Sequence, residues 1–514
     1  MAVSHPTIPA ALLATCEAHG DLPALVAEGR RLSYADLRDR VLRAGSLLRR
    51  HGIAKGDRVA LWLPNGGDWV AAALGAAGIG AVIVPVNTRL KGREAAYILR
   101  KSGARLLLAA PGFLGRDYAA EAEALALPAL ERVLRAGADW DAALAGVTAT
   151  EIETTRRATA TVGPDDPAEV IFTSGTTGFP KGAVLRHGQI VGAYGLYAAR
   201  AEIGPGDRYL IVAPMFHSFG FKAGVLVSVL TGAAIHPVAV FDVEETLGTI
   251  EAERITVMGG PPTIFSSLLD ANRTAGRDLS SLRSVVLGGS MISPALVRAL
   301  RRDVGVAVVM TAYGLTETSA LVTMTRREDG AERIARTAGQ VVDGMAMRCV
   351  DAEGREVPRG QAGEIEVRGA NVMTHYFEDP ERTAESFTAE GWFRTGDIGI
   401  IDETGYLRVT DRKKDMFIVG GFNCYPAEIE AIVMEHPAVR EAAVVGMPDA
   451  RLGEVARAFV VPRPGAAFDT QAFLAWCREN MANFKVPRAV VLLEALPRNA
   501  MGKVQRFLLR DGGA

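Results

Sequence analysis

Cysteine is scarce in this chain of 514 residues, where Cys16, Cys349, Cys424 and Cys477 lie far apart. They form no C-x-x-C pair and no spacing typical of a metal site. A disulfide framework and a cysteine-ligated metal are therefore excluded. The expected setting is the reducing cytoplasm, where cysteines stay as thiols.

Excess charge of one sign is also absent, since the net charge at pH 7 is only −2. Neither nucleic acid nor an anionic membrane surface is expected as a partner, because both attract basic proteins. Residues 1–9 lack a basic segment followed by an apolar run, so no signal peptide is predicted. Residues 69–86 are apolar but rich in glycine and alanine. They predict a buried helix followed by a buried strand rather than a membrane span.

The chain contains no internal repeat and no low-complexity tract. Its length implies at least two domains, and its 49% of hydrophobic residues is ordinary for a globular protein. Up to about residue 310, short apolar stretches alternate with helical ones, which predicts βαβ units and parallel sheets. Strands are predicted at residues 58–63, 81–85, 105–109, 209–213, 255–258, 284–287 and 306–310.

Helices are predicted over residues 8–30 and 294–302, and another is predicted to begin after an N-cap at Ser33. Residues 145–165 are polar, rich in threonine and without a period. They predict a loop that leads into the next strand.

The pattern changes after about residue 340, where short strands separated by turns predict a small β subdomain over about residues 340–411. The charged run D-R-K-K-D begins at Asp411, and mixed helices and strands follow it. The predicted fold class is α/β. A large N-terminal domain over residues 1–411, built of stacked βαβ sheets plus the β subdomain, precedes a small α+β C-terminal domain over residues 412–514.

The richest motif is I-F-T-S-G-T-T-G-F-P-K-G at residues 171–182, which follows an apolar strand. It lacks the G-K-[ST] ending of the common P-loop, because Lys181 is followed by Gly182. Glycines allow close approach to an anion, hydroxyls donate hydrogen bonds, and lysine supplies a point charge. The motif predicts a polyphosphate-binding loop. The alternative is a flexible turn of glycine and threonine.

Three further motifs suit a nucleotide enzyme. A-Y-G-L-T-E-T at residues 312–318 offers an aromatic face for a base, a hydroxyl for a phosphate and a carboxylate for Mg²⁺. In the alternative interpretation, Thr316 only opens a helix. Asp397, in G-W-F-R-T-G-D, can accept hydrogen bonds from sugar hydroxyls or simply sit in a turn. Lys503, in P-R-N-A-M-G-K, is either a functional lysine on a loop or a solvated one.

With P-M-F-H-S-F-G at residues 214–220 and the run from Asp411 through G-G-F-N-C-Y-P-A-E-I-E, six motifs stand in one order between residues 173 and 503. In this order they resemble the superfamily of adenylate-forming enzymes: acyl-CoA synthetases, luciferases and nonribosomal adenylation domains. The resemblance implies that a carboxylate attacks the α-phosphorus of ATP and releases pyrophosphate. A thiol, usually of coenzyme A, then displaces AMP. The implied cofactors are ATP, Mg²⁺ and coenzyme A.

The motif match also implies where ATP is held. Thr316 is expected to contact the α-phosphate, and Glu317, together with Thr173, to bind Mg²⁺. Lys503 is expected to bridge the substrate carboxylate and the α-phosphate, a role that suits a charged, flexible side chain. The β- and γ-phosphates are assigned to Thr173, Ser174, Gly175, Thr176, Thr177, Gly178 and Lys181.

The nucleoside is assigned in the same way. Tyr313 is expected to stack on adenine, and Asp397 and Arg412 are expected to hold the ribose. The other side of the adenine is assigned to Gly289, Ser290 and Met291.

The resemblance further implies that the small domain is mobile and rotates between the two half-reactions about a hinge at Lys414. The rotation withdraws Lys503 and brings in the residues that line the pantetheine tunnel. Glycines fit such a tunnel, because a thin chain passes close to the backbone. The tunnel is assigned to Gly420, Gly421 and Phe422, although the two glycines also suit a plain hairpin turn.

The acid is harder to predict. Residues 214–220 contain no carboxylate to pair with an amino group, which argues against an amino acid substrate. His217 matches the family's gate beside the acyl pocket, or it is a buried core histidine. The apolar pocket is assigned to Phe216, Phe219, Phe221, Val225, Met291, Gly314 and Leu315.

Lys222 lies next to this apolar set and needs a partner or a route to solvent. The run H-S-F-G-F-K-A-G resembles the ligases that activate the indanedione-propionate remnant of steroid rings. One hypothesis is a bulky alicyclic keto acid with Lys222 reaching its distal oxygen. The alternative is a medium-chain fatty acid with Lys222 extending to the surface.

Two other classes stay open: an enzyme whose acyl-adenylate reacts with an amine or O₂ or is kept as acyl-AMP, and an inactive binding protein. The presence of Thr316, Glu317, Asp397, Arg412 and Lys503 argues against the inactive form. The resemblance also leaves room for a homodimer and for regulation by acetylation of Lys503.

Overall fold

The protein was analysed as a computed structural model that describes residues 5–90, 92–173, 180–289, 292–412, 415, 417–419, 422–424, 426–449, 452–481, 483–498 and 504–511. The chain divides into two compact units. The first comprises Met1–Gly288, Ile292–Ala346 and Val367–Phe393, and the second comprises Gly289–Met291, Met347–Glu366 and Arg394–Ala514. The boundary at residue 411 and the mobility of the small domain stay predictions.

The described residues form helices of three kinds. The π-helices are Phe219–Leu226 and Leu300–Val304, and a single 3₁₀ turn covers Thr316–Thr318. The α-helices are α1 Ile8–His19, α2 Tyr34–Arg50, α3 Gly67–Gly78, α4 Gly92–Ser102, α5 Tyr118–Glu123, α6 Ala138–Ala145, α7 Ala149–Thr159, α8 His187–Arg200, α9 Val227–Thr231, α10 Val243–Ala252, α11 Pro262–Ala275, α12 Pro294–Ala299, α13 Ala331–Arg336, α14 Pro380–Ser386, α15 Pro426–Val433, α16 Thr470–Asn480 and α17 Arg506–Asp511.

The strands of the described part of the chain form four sheets. They are β1 Pro23–Ala27, β2 Arg30–Ser33, β3 Arg58–Trp62, β4 Val82–Pro85, β5 Leu106–Ala109, β6 Arg132–Arg135, β7 Pro167–Thr173, β8 Lys181–Arg186, β9 Arg208–Ile211, β10 Ala234–Pro237, β11 Val257–Gly260, β12 Ser284–Leu287, β13 Val308–Tyr313, β14 Thr323–Met324, β15 Gln340–Val341, β16 Met345–Val350, β17 Ala362–Gly369, β18 Phe393–Ile401, β19 Leu407–Arg412, β20 Phe417–Val419, β21 Phe422–Cys424, β22 Val439–Asp449, β23 Gly453–Pro462 and β24 Ala489–Leu492.

Two of these sheets lie in the first unit, and both are parallel through their centres. The nine-stranded sheet has the order β15-β14-β13-β12-β11-β9-β10-β1-β2 and is antiparallel only where β14, β15 and β2 flank it. The six-stranded sheet has the order β6-β5-β3-β4-β7-β8, and only β8 runs antiparallel to its neighbour. This arrangement confirms the predicted βαβ architecture. It also brings the carboxyl ends of β7, β9 and β13, which lead into the first three of the six motifs, to the edges of parallel sheets.

The apolar run at residues 69–86 forms a buried helix and a buried strand, α3 and β4, as predicted. Glycine is needed in this helix, because a Cβ on Gly75 would lie 2.9 Å from the backbone nitrogen of Gly45. Gly45 belongs to α2, so α2 and α3 pack at close range. Among the described residues, no helix is long and apolar enough to span a membrane.

Two predictions were wrong. The helix predicted over residues 8–30 ends at His19, because Pro23–Ala27 forms a strand that pairs with β10 in the core of the nine-stranded sheet. The loop predicted at residues 145–165 contains α7, which begins with a capping box between Thr148 and Glu151. Only Thr155 of α7 is buried, so the helix carries no apolar period that the sequence could reveal. The N-cap at Ser33 is confirmed by a hydrogen bond from the amide of Asp36.

The other two sheets lie mainly in the second unit. One has the order β16-β17-β18-β19, and the other has the order β21-β20-β23-β22, with β24 parallel to β23. All four cysteines fall within described residues, and all four are buried without forming a disulfide. Burial raises the pKa of the Cys16, Cys349 and Cys477 thiols to about 11, which makes them poor nucleophiles.

A buried histidine makes stability depend on pH. His187 begins α8 and is fully buried, and neither ring nitrogen has a hydrogen-bond partner among the described residues. Burial, which outweighs the opposing charge of Asp166, lowers the pKa of His187 from 6.5 to about 4. Between these pH values the unfolded chain therefore binds more protons than the folded chain. The contribution of His187 to stability is complete above pH 6.5 and is lost as the pH falls toward 4.

We expect His187→Gln to weaken this dependence. One such histidine changes the free energy of unfolding by up to about 1.4 kcal/mol per pH unit within the window. The drop in melting temperature between pH 7 and pH 5 is therefore expected to be a few degrees smaller in the variant than in the parent protein. Calorimetric scans at both pH values measure it, and an equal drop in the two proteins would contradict the assignment.

Candidate active site

The predicted phosphate loop closes a hairpin between β7 and β8. Thr173, the last residue of β7, pairs across the sheet with Lys181, the first residue of β8. Both ends of the loop are therefore held at the carboxyl end of a strand within a mostly parallel sheet. The predicted loop residues Ser174, Gly175, Thr176, Thr177 and Gly178 lie outside the described residues.

The second motif forms a tight turn after β13. The 3₁₀ turn Thr316–Thr318 is followed by Ser319 at φ 52° and Ala320 at φ 61°, a left-handed conformation that residues other than glycine seldom adopt. The amide of Ala320 donates to the carbonyl of Leu315 at 2.7 Å. Two consecutive strained residues persist only where neighbouring structure holds them, and such residues cluster at functional sites.

Residues 371–377, which we name the bridging segment, hold this turn. The Ser319 hydroxyl donates to the carbonyl of Asn371 at 3.0 Å. The backbone amide of Met373 donates to the carbonyl of Glu317 at 2.6 Å. Glu317 is therefore fixed through its backbone by a segment more than 50 positions away in the sequence, and its side chain is nearly buried.

The other side of the bridging segment pairs with β8. The amide of Phe377 donates to the carbonyl of Gly182 at 2.7 Å, and Tyr376 forms an antiparallel bridge with Ala183. The segment therefore adds a short strand beside β8, the strand that leaves the phosphate loop. It links the turn of Glu317 to the loop of Lys181 by backbone hydrogen bonds.

Tyr376 joins the two charged groups directly. Its hydroxyl donates to Oε1 of Glu317 at 2.8 Å, and the ammonium of Lys181 lies 4.9 Å from the centre of its ring. Burial and, second, the charge of Glu317 raise the pKa of Tyr376 well above its usual value, so the phenol keeps its proton and donates. The sequence prediction missed Tyr376, because it lies outside the six motifs and resembles any tyrosine in a loop.

The acyl-pocket motif leads into the π-helix Phe219–Leu226. The amide of Phe219 donates to Nδ1 of His217 at 3.3 Å. Burial and, second, the charge of Lys222 lower the pKa of His217 to about 4, so this imidazole is neutral at pH 7. Gly220 is required here, because a Cβ would overlap the carbonyl of Pro214. π-Helical turns occur often at functional sites.

The predicted pocket residues differ in burial. Phe219 is half-buried, and a Cβ on Gly259 would lie 3.2 Å from its ring, so the ring covers the end of β11. Phe221 is fully buried against Trp69, with ring centres 4.9 Å apart. Phe216 and Val225 are also buried, while Gly314 and Leu315 are half-buried. The assignment of these residues to an acyl pocket stays a prediction.

Lys222 does not extend to the surface, so the position of Lys222 in the fatty-acid alternative was wrong, while the choice of acid stays a prediction. Its side chain is fully buried, and Nζ lies 2.7 Å from Oε2 of Glu169, which is fully buried as well. Lys222 also donates to the Ser218 hydroxyl at 3.1 Å. Burial lowers the pKa of Lys222, and Glu169 opposes that shift. The sequence prediction missed Glu169, although a glutamate inside the apolar strand A-E-V-I-F is a signal for a buried partner.

The ribose assignment falls in the second unit. Asp397 lies opposite Arg412 on the antiparallel strands β18 and β19, so the two predicted positions are neighbours. Asp397 is nearly buried, and its amide donates to the Thr395 hydroxyl at 3.1 Å. The backbone of Arg412 belongs to β19, while its side chain lies outside the described part of the chain.

For the remaining predicted residues within the described part of the chain, the structure gives the position relative to the neighbouring strand. Tyr313 ends β13 and is half-buried, and Gly289 follows β12 with φ 82°. Val419 of β20 pairs with Phe422 of β21, so the sequence positions 420 and 421 connect two antiparallel strands. The positions that lie outside the described residues are Ser290, Met291, Lys414, Gly420, Gly421 and Lys503, together with the side chain of Phe422.

The carboxylate of Glu317 suits a Mg²⁺ ion that arrives bound to a nucleotide. Among the described residues, no group of three or more His, Cys, Asp or Glu side chains could hold a metal ion by itself. Glu317 offers one carboxylate, of which Oε1 is taken by Tyr376 and Oε2 accepts no hydrogen bond from described residues. Mg²⁺ is commonly held by one or two carboxylates plus substrate phosphates and water, which matches such a site.

We expect Gly314→Ala to destabilise the turn. A Cβ on Gly314 would overlap the backbone of Ala320 and Leu321, where no flexible side chain can yield. Overpacking of this kind costs about 1–3 kcal/mol of unfolding free energy. Gly192→Ala in α8 is the control, since a Cβ there meets nothing within 4 Å. Thermal melts measure both variants, and equal melting temperatures for them would contradict the close approach.

Comparison with known proteins identifies the family of the chain. The family model described as AMP-binding enzyme matches residues 12–377, and the model of the AMP-binding enzyme C-terminal domain matches residues 428–503. The chain is 44% identical to a 3-[(3aS,4S,7aS)-7a-methyl-1,5-dioxo-octahydro-1H-inden-4-yl]propanoyl:CoA ligase of Mycobacterium tuberculosis, over 99% of both chains. A ligase of the same name from Rhodococcus jostii is 43% identical over 98% of both chains.

A solved structure shares the fold as well. ATP-bound MatB from Rhodopseudomonas palustris is 31% identical and superposes with a TM-score of 0.90, over 99% of this chain and 98% of that chain. The two ligases do not favour an amine acceptor, a retained acyl-AMP or an inactive form. The family match and the full-length relatives show that the chain belongs to the AMP-binding enzyme family and is an AMP-forming acyl-CoA ligase.

Proposed function

We propose that this ligase activates a bulky alicyclic propionate that carries a keto group far from its carboxylate. The carboxylate attacks the α-phosphorus of ATP, and the bond to pyrophosphate breaks. The thiol of coenzyme A then attacks the acyl carbon of the acyl-adenylate, loses its proton and displaces AMP. The observation that carries the choice of acid is the fully buried ion pair between Glu169 and Lys222.

This ion pair has no evident value for stability alone. Removing two charges from water is costly, and well-packed apolar residues often stabilise a core as much or more. An acyl pocket for a plain alkyl chain also needs no buried charge. A pocket for a keto acid does need a donor, because a buried carbonyl oxygen without a hydrogen bond is costly.

Lys222 can supply that donor. An ammonium group has three N–H bonds; that of Lys222 donates one to Ser218 and faces Glu169, whose Oε2 lies 2.7 Å from Nζ, with a second. The third is available to a ligand oxygen. Lys222 belongs to the π-helix that begins at Phe219, a residue assigned to the pocket, and it donates to Ser218, which directly follows the predicted gate residue His217. The names of the two similar ligases, which describe a dioxo-indane propanoate, support the same class of acid.

The ATP-binding roles form part of the proposal. The loop from Thr173 to Lys181 holds the β- and γ-phosphates, Thr316 contacts the α-phosphate, and Glu317 with Thr173 binds Mg²⁺. When bound, Mg²⁺ would neutralise phosphate charge that grows in the transition state. The remaining roles are those assigned from the motifs to His217, Gly289, Ser290, Tyr313, Asp397, Arg412, Lys414, Gly420, Gly421, Phe422 and Lys503.

The second candidate acid is a medium-chain fatty acid, favoured by the apolar character of Phe216, Phe219 and Val225. In that case the ion pair would only join β7 to the π-helix. Cytoplasmic location is proposed from the scarcity of cysteine, and the homodimer stays a prediction.

Turnover of an acid panel separates the two candidates. Pyrophosphate release is measured with ATP and Mg²⁺, with and without coenzyme A, on a bicyclic keto-propionate and on octanoate. We expect coenzyme A-dependent turnover that favours the keto acid. In Lys222→Met, kcat/KM for the keto acid is expected to fall at least about 10-fold, the scale of one lost hydrogen bond to a charged donor, while octanoate changes little.

A matched double variant controls for the loss of stability that follows when one charge of the pair stays buried without its partner. Lys222→Met leaves Glu169 buried and unpaired, whereas Glu169→Gln combined with Lys222→Met leaves a neutral pair. The double variant is expected to regain melting temperature but not the preference for the keto acid. Equal losses on both acids in either variant would contradict recognition by Lys222.

Acetylation of Lys503 is proposed as a means of regulation, because it removes the charge assigned to the adenylation step. Lys503→Gln imitates the neutral side chain. We expect it to abolish pyrophosphate release while thioester formation from supplied acyl-adenylate continues, since only the first half-reaction uses this lysine. Full pyrophosphate release by Lys503→Gln would rule the proposal out.

A further inference from the structure

We infer that Tyr376 is a positioning residue of the first half-reaction, holding the carboxylate of Glu317 and the ammonium of Lys181 in place before ATP binds. The inference rests on the proposed roles of these two residues toward Mg²⁺ and the terminal phosphates. It is carried by one tyrosine that contacts both groups, with its hydroxyl 2.8 Å from Glu317 and its ring 4.9 Å from the Lys181 ammonium.

The position of Tyr376 follows from backbone pairing. Lys181 and Ala183 are two residues apart on β8, so their side chains lie on the same face of the strand. The bridge between Tyr376 and Ala183 places the tyrosine ring beside that face. The hydrogen bond from the amide of Met373 to the carbonyl of Glu317 brings the carboxylate within reach of the phenol. The backbone pairing of the bridging segment therefore places Tyr376 where it can make both contacts.

The hydroxyl determines which carboxylate oxygen is free. Tyr376 is nearly buried and donates to Oε1 of Glu317, whereas Oε2 accepts no hydrogen bond from described residues. A carboxylate that is held at one oxygen presents the other in a fixed direction. Groups that orient metal ligands in this way are worth about 10- to 100-fold in metal affinity.

The ring has a second role toward Lys181. A cation over an aromatic face is attracted by the ring quadrupole, but this attraction is weak beside that of a polyphosphate. The ring therefore keeps the ammonium near the hairpin end without trapping it. Lys181 is half-buried, so it keeps an exposed part that a bound polyphosphate can reach.

Two substitutions separate these roles. Tyr376→Phe keeps the ring and removes the hydroxyl, whereas Tyr376→Leu removes both. In Tyr376→Phe, the Mg²⁺ concentration that gives half-maximal pyrophosphate release is expected to rise about 10- to 100-fold. The same variant is expected to bind ATP normally at saturating Mg²⁺ in calorimetry. Tyr376→Leu is expected to bind ATP more weakly even at saturating Mg²⁺, because the ammonium of Lys181 is no longer held.

The second half-reaction and a remote tyrosine serve as controls. Thioester formation from supplied acyl-adenylate involves no polyphosphate, so it is expected to stay within about 2-fold in Tyr376→Phe. Tyr118→Phe loses a similar buried hydrogen bond, from Tyr118 to the carbonyl of Thr88 at 2.9 Å. It is expected to lower the melting temperature as much as Tyr376→Phe does, without changing the Mg²⁺ dependence.

The outcomes that overturn the inference are distinct from failure of the proposed function. An unchanged Mg²⁺ dependence in Tyr376→Phe, or equal loss of both half-reactions, would show that Tyr376 is only structural. Glu317→Gln, measured in parallel, is expected to weaken Mg²⁺-dependent ATP binding, and an unchanged value would remove the proposed role of Glu317 and the inference with it. Absence of keto-acid turnover in the parent protein would refute only the proposed acid, because the Mg²⁺ dependence of Tyr376→Phe can be measured on octanoate and the calorimetric test of Tyr376→Leu needs no acid.

Discussion

The first unit depends on hydrogen bonding along both edges of the bridging segment. On one side it pairs with β8, and on the other it holds the turn at Glu317, whose Ser319 and Ala320 adopt left-handed backbone conformations. Without these bonds the turn would have no compensation for its strain. The nine-stranded sheet supplies Glu317 and the six-stranded sheet supplies Lys181. The bridging segment is therefore what brings the two charged side chains to one tyrosine.

A second buried interaction connects two other elements of the first unit. The ion pair between Glu169 and Lys222 joins β7, which ends at the phosphate loop, to the π-helix assigned to the acyl pocket. In the proposed roles, Tyr376 positions the charges that meet the polyphosphate, and the ion pair forms the polar part of the predicted acyl pocket. Both interactions are fully or nearly buried, where a hydrogen bond is stronger and an unpaired group is more costly than at the surface. The geometry of the candidate site thus depends on a few buried interactions whose loss is energetically costly.

Local sequence predicted the elements whose pattern was complete within a few residues. Strands such as β3 and β12, the helix and strand at residues 69–86, and the cap at Ser33 all carry their own apolar or capping signals. β1 was missed, because its strand conformation depends on pairing with β10 more than 200 positions away. α7 was missed, because an exposed helix has no apolar stripe, although its capping box at Thr148 was a readable sign.

The candidate site likewise has features that a local sequence pattern predicts and features that depend on contacts between distant residues. The sequence by itself determined the family and the reaction class, and it predicted the residues proposed to bind the nucleotide, because glycines, hydroxyls and charges at fixed spacings suit the chemistry of phosphate. Only the tertiary structure decided that Tyr376 joins Glu317 to Lys181 and that Lys222 pairs with Glu169. The partners in these contacts are 53 to 195 positions apart, as the numbering shows. Such contacts arise from sheet order and strand register, which no local pattern encodes.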